Sequence, residues 1–461
     1  MLAYLVGLLV VAAPLAAQRS PGPVPQIDSG GRALVFSFPG MRIGVAEYAE
    51  GPTGTTVFHF PKGVKAAVDV RGGSPGTLNT DAVRLSYESK MMRAVVFSGG
   101  SWYGLSAATG AANELKDIQA EQGDRDTIAG VLSAIIYDVG GRRFTRVTPD
   151  DRLGRAAVRS AREGWFPQGA RGAGRFAMQG FFYLSHFEPD LTSAWPHSGQ
   201  GGAFRQVGPT KVAVFTVVNA LGTVVDRAGN VVRCHRNSEG SPCPSAVARL
   251  KDHLARIGLR TPSGPGQPAP APTGNTTVTL VVTNQRLPYW ALNRLAVQVH
   301  SSMARAIQPF ATEEDGDVLF AVTTDEVENP ALTPELLSTT ASEVAWDAVL
   351  NSVPDLPRAI LKTPVSLGPD ARTELPGSYH FPGGGVLVVG ADRDGLSAQF
   401  TGNGQMYFET GRRYQLIPTG PDRFVVDGPS EEQVRFERQA GRVAAIVLNP
   451  GSWPQRGARP E

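Results

Sequence analysis

The chain has 461 residues, 41% of them hydrophobic and 8% aromatic, which is enough to fill the cores of two to three domains. It carries 44 Lys and Arg residues against 42 Asp and Glu residues, a formal net charge of +2. Because it has no basic run and no basic patch interleaved with aromatic residues, we expect neither nucleic acid nor an anionic membrane surface as a partner. A small molecule or peptide fits this charge balance better.

The first residues form a short apolar stretch that ends in small side chains. Leu15, Ala16 and Ala17 resemble a signal peptidase site before Gln18. We therefore expect residues 1–17 to be an export signal, and the mature protein to be periplasmic or secreted, with residues 18–32 as an N-terminal extension. The usual cationic start is missing, which leaves an uncleaved membrane anchor or a wrongly assigned start codon as alternatives.

Strands and helices alternate through the next three hundred residues. Hydrophobic periodicity and β-branched runs predict strands at residues 43–46, 55–60, 66–70, 92–98, 211–225, 277–283 and 318–323. Helical spacing predicts helices at residues 105–118, 151–163, 246–257, 288–307 and 333–353. This mixture is typical of packed sheets flanked by helices.

The only two cysteines lie close together in a polar segment, at Cys234 and Cys243. In an exported chain we expect them to form a local disulfide, whereas in the cytosol they would stay reduced. A metal site is less favoured, because Cys234, His235 and Cys243 supply only three candidate ligands without a familiar zinc spacing.

A Pro- and Gly-rich run at residues 264–274 leads directly to Asn275 and Thr276, at the start of an apolar β-branched strand. Such a run favours an extended loop that presents a scissile bond where the strand begins. The same composition is typical of an ordinary interdomain linker. The residues of this segment alone leave both readings open.

From residue 375 the pattern changes to short strands separated by glycine turns, without helical periodicity. This predicts a small all-β domain at residues 375–461, joined by a linker at residues 363–374. The domain loosely resembles the small lipocalin-like domains appended to secreted serine hydrolases.

Six segments, in order along the chain, resemble the L-aminopeptidase/D-amidase-esterase family, often called DmpA-like, which includes β-peptidyl aminopeptidases. They are F-P-G-M-R-I-G-V (38–45), A-A-V-D-V-R-G-G-S-P-G-T (66–77), S-G-G-S-W-Y-G-L-S-A-A-T-G (98–110), V-V-N-A-L-G (217–222), N-T-T-V-T-L-V-V-T-N (275–284) and D-G-D-V-L-F-A-V-T-T (315–324). A single glycine motif would be weak evidence, but six in register are specific.

The resemblance implies an α+β fold, an αββα sandwich of the N-terminal nucleophile type, spanning residues 33–362. It also implies a precursor that cuts itself between Asn275 and Thr276, leaving Thr276 as the nucleophile at a new N-terminus. Thr277 is a less favoured nucleophile, because its side chain would point to the other face of the strand. The resemblance also implies a homo-oligomer in which each subunit consists of both fragments. Hydrolysis by a threonine nucleophile requires no cofactor.

The resemblance assigns further residues to the site. Asn219 matches a side-chain amide that stabilises the oxyanion, although from the residues alone it is a strand-end turn residue. Thr312 and Glu314 fall where the family places a hydroxyl and a carboxylate against the nucleophile, with Glu313 or Asp315 as alternatives to Glu314. The other interpretation of this acidic cluster is a solvated turn.

Three aromatic residues are candidates for the substrate pocket: Trp102, Tyr103 and Tyr137. Packing in the core is the alternative for each of them.

These expectations combine into a self-processing N-terminal-threonine aminopeptidase or amidase. It would remove an L-, D- or β-amino acid from a small peptide or amide through an acyl-enzyme on Thr276. A free α-amine titrates near pH 7.7 to 8.0, so it is available as a base for the hydroxyl on the same residue. A non-catalytic peptide- or cell-wall-binding protein and an acyl transferase remain open alternatives.

Overall fold

The computed structural model describes residues 22–27, 30–85, 92–139, 145–180, 182, 197–234, 243–258, 274–353, 365–393, 395–402, 408, 410–426, 433–450 and 453–460. The predicted signal peptide at residues 1–17 and the Pro-rich residues 264–273 lie outside this described part. No helix within it combines the length and the apolar character needed to cross a bilayer.

The secondary structure falls into a mixed unit followed by an all-β unit. The strands of the first unit are β1 (Ala33–Val35), β2 (Arg42–Tyr48), β3 (Thr53–Val70), β4 (Thr77–Leu78), β5 (Met92–Ser98), β6 (Gly130–Ile135), β7 (Arg162–Glu163), β8 (Trp165–Pro167), β9 (Gln200–Val207), β10 (Thr210–Asn219), β11 (Thr223–Val224), β12 (Thr276–Gln285), β13 (Ile307–Gln308) and β14 (Val318–Val327). Its helices are α1 (Thr80–Arg84), α2 (Leu105–Glu121), α3 (Asp151–Arg159), α4 (Ala246–Gly258), α5 (Tyr289–Ser302) and α6 (Pro334–Leu350). The second unit contains α7 (Ala371–Glu374), β15 (Gly377–His380), β16 (Val386–Asp392), β17 (Gly395–Thr401), β18 (Arg413–Gly420), β19 (Arg423–Val426), β20 (Gln433–Gln439), β21 (Arg442–Leu448) and β22 (Gln455–Ala458).

Two sheets share the long strand β3. The first half of β3 pairs with β2 and β5, and its second half pairs with β14. One sheet therefore runs β4-β6-β5-β3-β2-β7 and the other runs β9-β10-β12-β14-β3. The prediction of two separate strands at residues 55–60 and 66–70 was wrong. Strand β3 continues through both segments, with a register shift in its pairing between His59 and Val64.

Apolar side chains fill the space between the two sheets and on their outer faces. Phe58, Phe97, Phe215 and Phe320 lie in the cluster between the sheets. Residues of α2 and α3 pack on the outside of the first sheet, and residues of α5 and α6 pack on the outside of the second. These four layers are the αββα sandwich that the sequence resemblance predicted.

The second unit is a closed barrel in which eight strands, β15 to β22, pair in chain order. Its core contains Tyr379, Phe400, Phe424 and Phe436, all buried. The all-β domain expected from residue 375 is therefore present, and closure removes the exposed strand edges of an open sheet.

Phe215 is the natural test of the core between the sheets. Its ring lies 5.0 Å from that of Phe58 and 4.8 Å from that of Phe166, measured between centroids. We expect Phe215→Ala to lower the free energy of unfolding by about 3–5 kcal/mol, because it leaves a cavity among aromatic rings. Urea unfolding measures the loss, with Val35→Ala at an exposed position as the control. Equal effects of the two substitutions would contradict this assignment of the core.

Candidate active site

Thr276 begins β12, an interior strand of the second sheet. This strand pairs in parallel with β14 and antiparallel with β10, and every one of its residues is buried. The register places Asn219, the last residue of β10, directly opposite Thr276. The sheet thus brings together two residues that the sequence resemblance assigned to the site.

The peptide group before Thr276 is held from two sides. With the chain continuous at this point, the Thr276 hydroxyl donates a hydrogen bond of 2.5 Å to the main-chain oxygen of Asn275. The backbone N–H of Gly316 donates to the same oxygen at 2.7 Å. The hydroxyl thus lies next to this carbonyl group, and the N–H of Gly316 polarises the carbonyl as an oxyanion-hole donor does.

Gly316 leaves no room for a side chain beside Thr276. A Cβ atom there would lie 2.7 Å from Thr276 Oγ1 and 2.6 Å from the main-chain oxygen of Ser74. Glycine is therefore required for the close approach of these three segments.

Residues 71–74 hold the acidic turn at residues 312–317 by main-chain hydrogen bonds. The N–H groups of Arg71 and Gly72 donate to Asp317 O, at 3.1 and 3.2 Å, and the N–H of Ser74 donates to Asp315 O at 2.9 Å. A Cβ atom at Gly72 would lie 2.2 Å from the main-chain nitrogen of Asp317. The glycines of the R-G-G-S string thus allow backbone to pack on backbone.

Asp315 is buried within the acidic turn. One of its carboxylate oxygens accepts the Thr312 hydroxyl at 2.9 Å and the Thr312 N–H at 3.2 Å, and the other accepts the N–H of Leu221 at 3.1 Å. Leu221 lies two residues beyond Asn219, so this carboxylate joins the acidic turn to the end of β10.

Asp317 is a second buried acid, and it contacts β12, the strand that begins at Thr276. Its carboxylate accepts the N–H of Thr277 at 2.6 Å and the N–H of Ala311 at 3.1 Å. Burial raises the pKa of Asp317 well above its usual value, and the neighbouring charge of Asp315 raises that pKa further. Asp317 therefore holds its proton to a higher pH than an exposed carboxyl group does.

The two site residues predicted at the acidic turn, Thr312 and Glu314, differ in burial. Thr312 is half-buried and contacts Asp315, whereas Glu314 is exposed and contributes its main-chain oxygen, which accepts the N–H of Asn275 at 3.3 Å. The alternative acid Asp315 is the buried one. Asp317 was missed, although its position two residues after Asp315 and directly before an apolar strand was a usable signal.

The Asn219 side chain is fixed by main-chain groups. Its Nδ2 donates to Tyr137 O at 2.8 Å, and its Oδ1 accepts the N–H of Met178 at 3.2 Å. Asn219 therefore lies opposite Thr276, but its Nδ2 is bound to the main chain, so its role at the oxyanion stays a prediction.

Of the three candidate pocket aromatics, Tyr137 lies at the junction. The ring of Tyr137 is 3.2 Å from the Cβ position of Gly274, the residue before Asn275. Trp102 and Tyr103 are 71% and 73% exposed on the turn that follows β5, so they are not core residues. Trp102 lies against Gly76.

The two cysteines lie apart from these contacts. Cys234 and Cys243 form a disulfide with their Cα atoms 5.7 Å apart. Within the described part of the chain, no group of three or more His, Cys, Asp or Glu side chains is arranged to hold a metal ion.

Comparison with known proteins assigns the chain to a class of hydrolases. Residues 36–363 match the model of peptidase family S58, and the chain belongs to that family. The protein is therefore an N-terminal nucleophile hydrolase, and the resemblance seen in its sequence motifs is confirmed.

Relatives of known sequence cover most of the sandwich. A 6-aminohexanoate-oligomer endohydrolase of Paenarthrobacter ureafaciens is 40% identical over 338 residues, which cover 71% of this chain and 88% of the relative. An uncharacterised aminopeptidase of Mycobacterium tuberculosis is 31% identical over 347 residues, which cover 71% of this chain and 91% of the relative. Among solved structures, a β-aminopeptidase of Burkholderia sp. matches with a TM-score of 0.47 and 17% identity over 72% of this chain and 88% of its own.

The crowding at Gly316 predicts a strong effect of one methyl group. We expect Gly316→Ala to lower kcat/KM for amide hydrolysis about 100-fold or more, because the added Cβ displaces the Thr276 hydroxyl. Gly368→Ala is the matched control, since a Cβ at that position meets nothing within 4 Å. Full activity of Gly316→Ala with an unchanged melting temperature would show that Thr276 is not the reacting group.

The raised pKa of Asp317 predicts a pH-dependent stability. An acid whose pKa is higher in the folded than in the unfolded state makes the protein less stable as the pH rises from about 4 through the folded-state pKa. The side chain of Asp317→Asn cannot ionise. The free energy of unfolding of this variant, relative to that of the wild type, should therefore increase between pH 4 and pH 8. Urea unfolding across this range measures the gain, on top of a constant offset from placing an NH2 group against a backbone N–H. A difference that does not change with pH would contradict the raised pKa.

Proposed function

We propose that the chain cuts itself between Asn275 and Thr276 and then uses Thr276 as an N-terminal nucleophile to hydrolyse an amide bond. The observation that carries the proposal is the contact of the Thr276 hydroxyl and the Gly316 N–H with one carbonyl oxygen, at 2.5 and 2.7 Å. Membership of an N-terminal nucleophile family supports it.

Self-cleavage proceeds in two steps. Thr276 Oγ1 attacks the carbonyl carbon of Asn275 while the N–H of Gly316 stabilises the developing oxyanion. The carbon–nitrogen bond then breaks, the hydroxyl proton ends on the nitrogen, and an ester joins Asn275 to Thr276. Water hydrolyses this ester and releases the Asn275 carboxylate, the free hydroxyl and the free α-amine of Thr276.

The mature site uses the new amine as its base. The amine takes the proton of its own hydroxyl as Oγ1 attacks the substrate carbonyl, and the same proton later passes to the leaving amine. Water then hydrolyses the acyl-enzyme. Negative charge on the buried pair Asp315 and Asp317 stabilises the ammonium that forms next to it. We therefore assign the carboxylate role to this pair instead of Glu314.

The substrate belongs to the amides of amino-carboxylic acids. Two relatives are named an oligomer endohydrolase and an aminopeptidase, and both names denote cleavage of a bond between amino acid units. Tyr137 is placed to line the acyl side of the site, because its ring lies against the residue before Asn275. We propose the exposed side chains of Trp102 and Tyr103 as further contacts for the substrate.

Export completes the proposal. The apolar N-terminal stretch supplies the signal, and a disulfide between Cys234 and Cys243 is favoured only in an oxidising compartment. From the family resemblance we also propose a homo-oligomer whose subunits each contain both fragments.

Substitution of Thr276 tests the proposal directly. Wild-type protein should give two bands of about 27 and about 20 kDa, scaled by length from 48.9 kDa, and Thr276→Ala should give one. Thr276→Ser should still cut, because it keeps the hydroxyl, and Thr277→Ala is the neighbouring control. N-terminal sequencing of the smaller band should begin at Thr276. A different first residue, or an intact wild-type chain, would refute the assignment of the nucleophile.

A further inference from the structure

Asn275 is held by both of its main-chain polar groups. Its N–H donates to Glu314 O at 3.3 Å, and its carbonyl oxygen accepts the N–H of Gly316 at 2.7 Å. Asn275 thus forms a parallel bridge with Asp315, the residue between these two partners. We call Glu314 O and Gly316 N–H the main-chain clamp.

The side chain of Asn275 is buried without a polar partner. The residue is 1% exposed, and neither Oδ1 nor Nδ2 has a hydrogen-bond partner in the described part of the chain. An amide buried in this way is unfavourable relative to an apolar group of similar shape. The space therefore accepts a branched side chain of this size but offers it no complementary polar group.

We propose that the main-chain clamp and the space around the Asn275 side chain receive the acyl residue of the substrate after self-cleavage. This inference rests on the proposed function. Asn275 is the first acyl group that Thr276 attacks, so the contacts that position it are available to a later acyl group once Asn275 leaves. The clamp binds its ligand as a short added strand, a common mode of peptide recognition.

The clamp selects the spacing between nitrogen and carbonyl. In Asn275 a single carbon separates the two groups, as in any α-aminoacyl residue. A β-aminoacyl residue has two carbons there and a 6-aminohexanoyl residue has five, so neither reaches Glu314 O with the same geometry when its carbonyl is bound to Gly316 N–H. The preferred substrate is therefore a peptide or amide with an α-aminoacyl residue.

The unpartnered amide selects the side chain. Leucine has the same branched arrangement of heavy atoms as asparagine but no polar atom to desolvate. We therefore assign an L-α-aminoacyl residue with a branched apolar side chain, leucine in the first place, to this position.

A series of p-nitroanilides tests the assignment on the mature enzyme. The series contains the L-leucyl, L-asparaginyl, β-homoleucyl, 6-aminohexanoyl and 4-methylpentanoyl anilides, the last being leucyl without its amine. The leucyl compound should exceed each of the others in kcat/KM by about tenfold or more. The inference is overturned if the 6-aminohexanoyl or β-homoleucyl compound equals or exceeds leucyl, or if asparaginyl equals leucyl.

Failure of the inference is distinguishable from failure of the proposed function. An intact chain that hydrolyses no anilide contradicts the proposed function, and with it the inference. A chain that cuts itself before Thr276 and hydrolyses the anilides in another order contradicts only the inference.

Substitution of Asn275 tests the same space in the uncut chain. Asn275→Leu should cut at least as fast as wild type, because it removes the unpartnered amide and keeps the branched shape. Asn275→Asp should cut several-fold more slowly at neutral pH, because it brings another carboxylate into the space beside Asp315. The half-time for appearance of the fragment that starts at Thr276 measures both effects. A folded Asn275→Leu chain that stays intact, or an Asn275→Asp chain that cuts as fast as Asn275→Leu, would overturn the proposal.

Discussion

Close contact between main-chain segments is the constraint on which the rest of this site depends. Residues 71–74, the junction at Asn275 and Thr276, and the turn at residues 312–317 meet with their backbones in contact. Gly72 and Gly316 stand where a side chain would collide with a main-chain atom. These contacts direct the N–H of Gly316 at the carbonyl oxygen of Asn275 in the continuous chain, and preorganised donors of this kind suit the proposed self-cleavage.

Burial determines the electrostatics of the same region. Asp315 and Asp317 both lie at 1% exposure, and each accepts hydrogen bonds from backbone N–H groups. Water screens their mutual repulsion poorly, so a second negative charge on the pair is disfavoured and the pKa of Asp317 rises. A positively charged amine next to such a pair would relieve the repulsion, which suits the N-terminal amine base that we propose.

Sequence motifs predicted the layers of the fold, because these depend on local patterns. The order of strands and helices indicated the sandwich, and the motifs placed Asn219 and Thr276 at ends of strands that turn out to be opposite one another. The continuity of β3 was not predictable, since it depends on pairing with two different sheets.

The choice among neighbouring acids was also beyond the sequence. Glu314 and Asp315 are adjacent in the chain, but only Asp315 is buried, because its partners come from Thr312 and from Leu221, over ninety positions away. Asp317 had a signal in the sequence, its position directly before an apolar strand, but its contact with Thr277 on another strand is seen only in the fold.

The central place of β12 in its sheet has a consequence for the products of chain scission. The fragment that starts at Thr276 would contain β12 and β14. The other fragment would contain β10, which pairs with β12, and β3, which pairs with β14. The strand pair of one polypeptide would lie between two strands of the other within one hydrophobic core, and neither could dissociate without exposing that core. Scission there would make a stable two-chain assembly from one gene product. Its new N-terminus, Thr276, would be buried where the two chains meet.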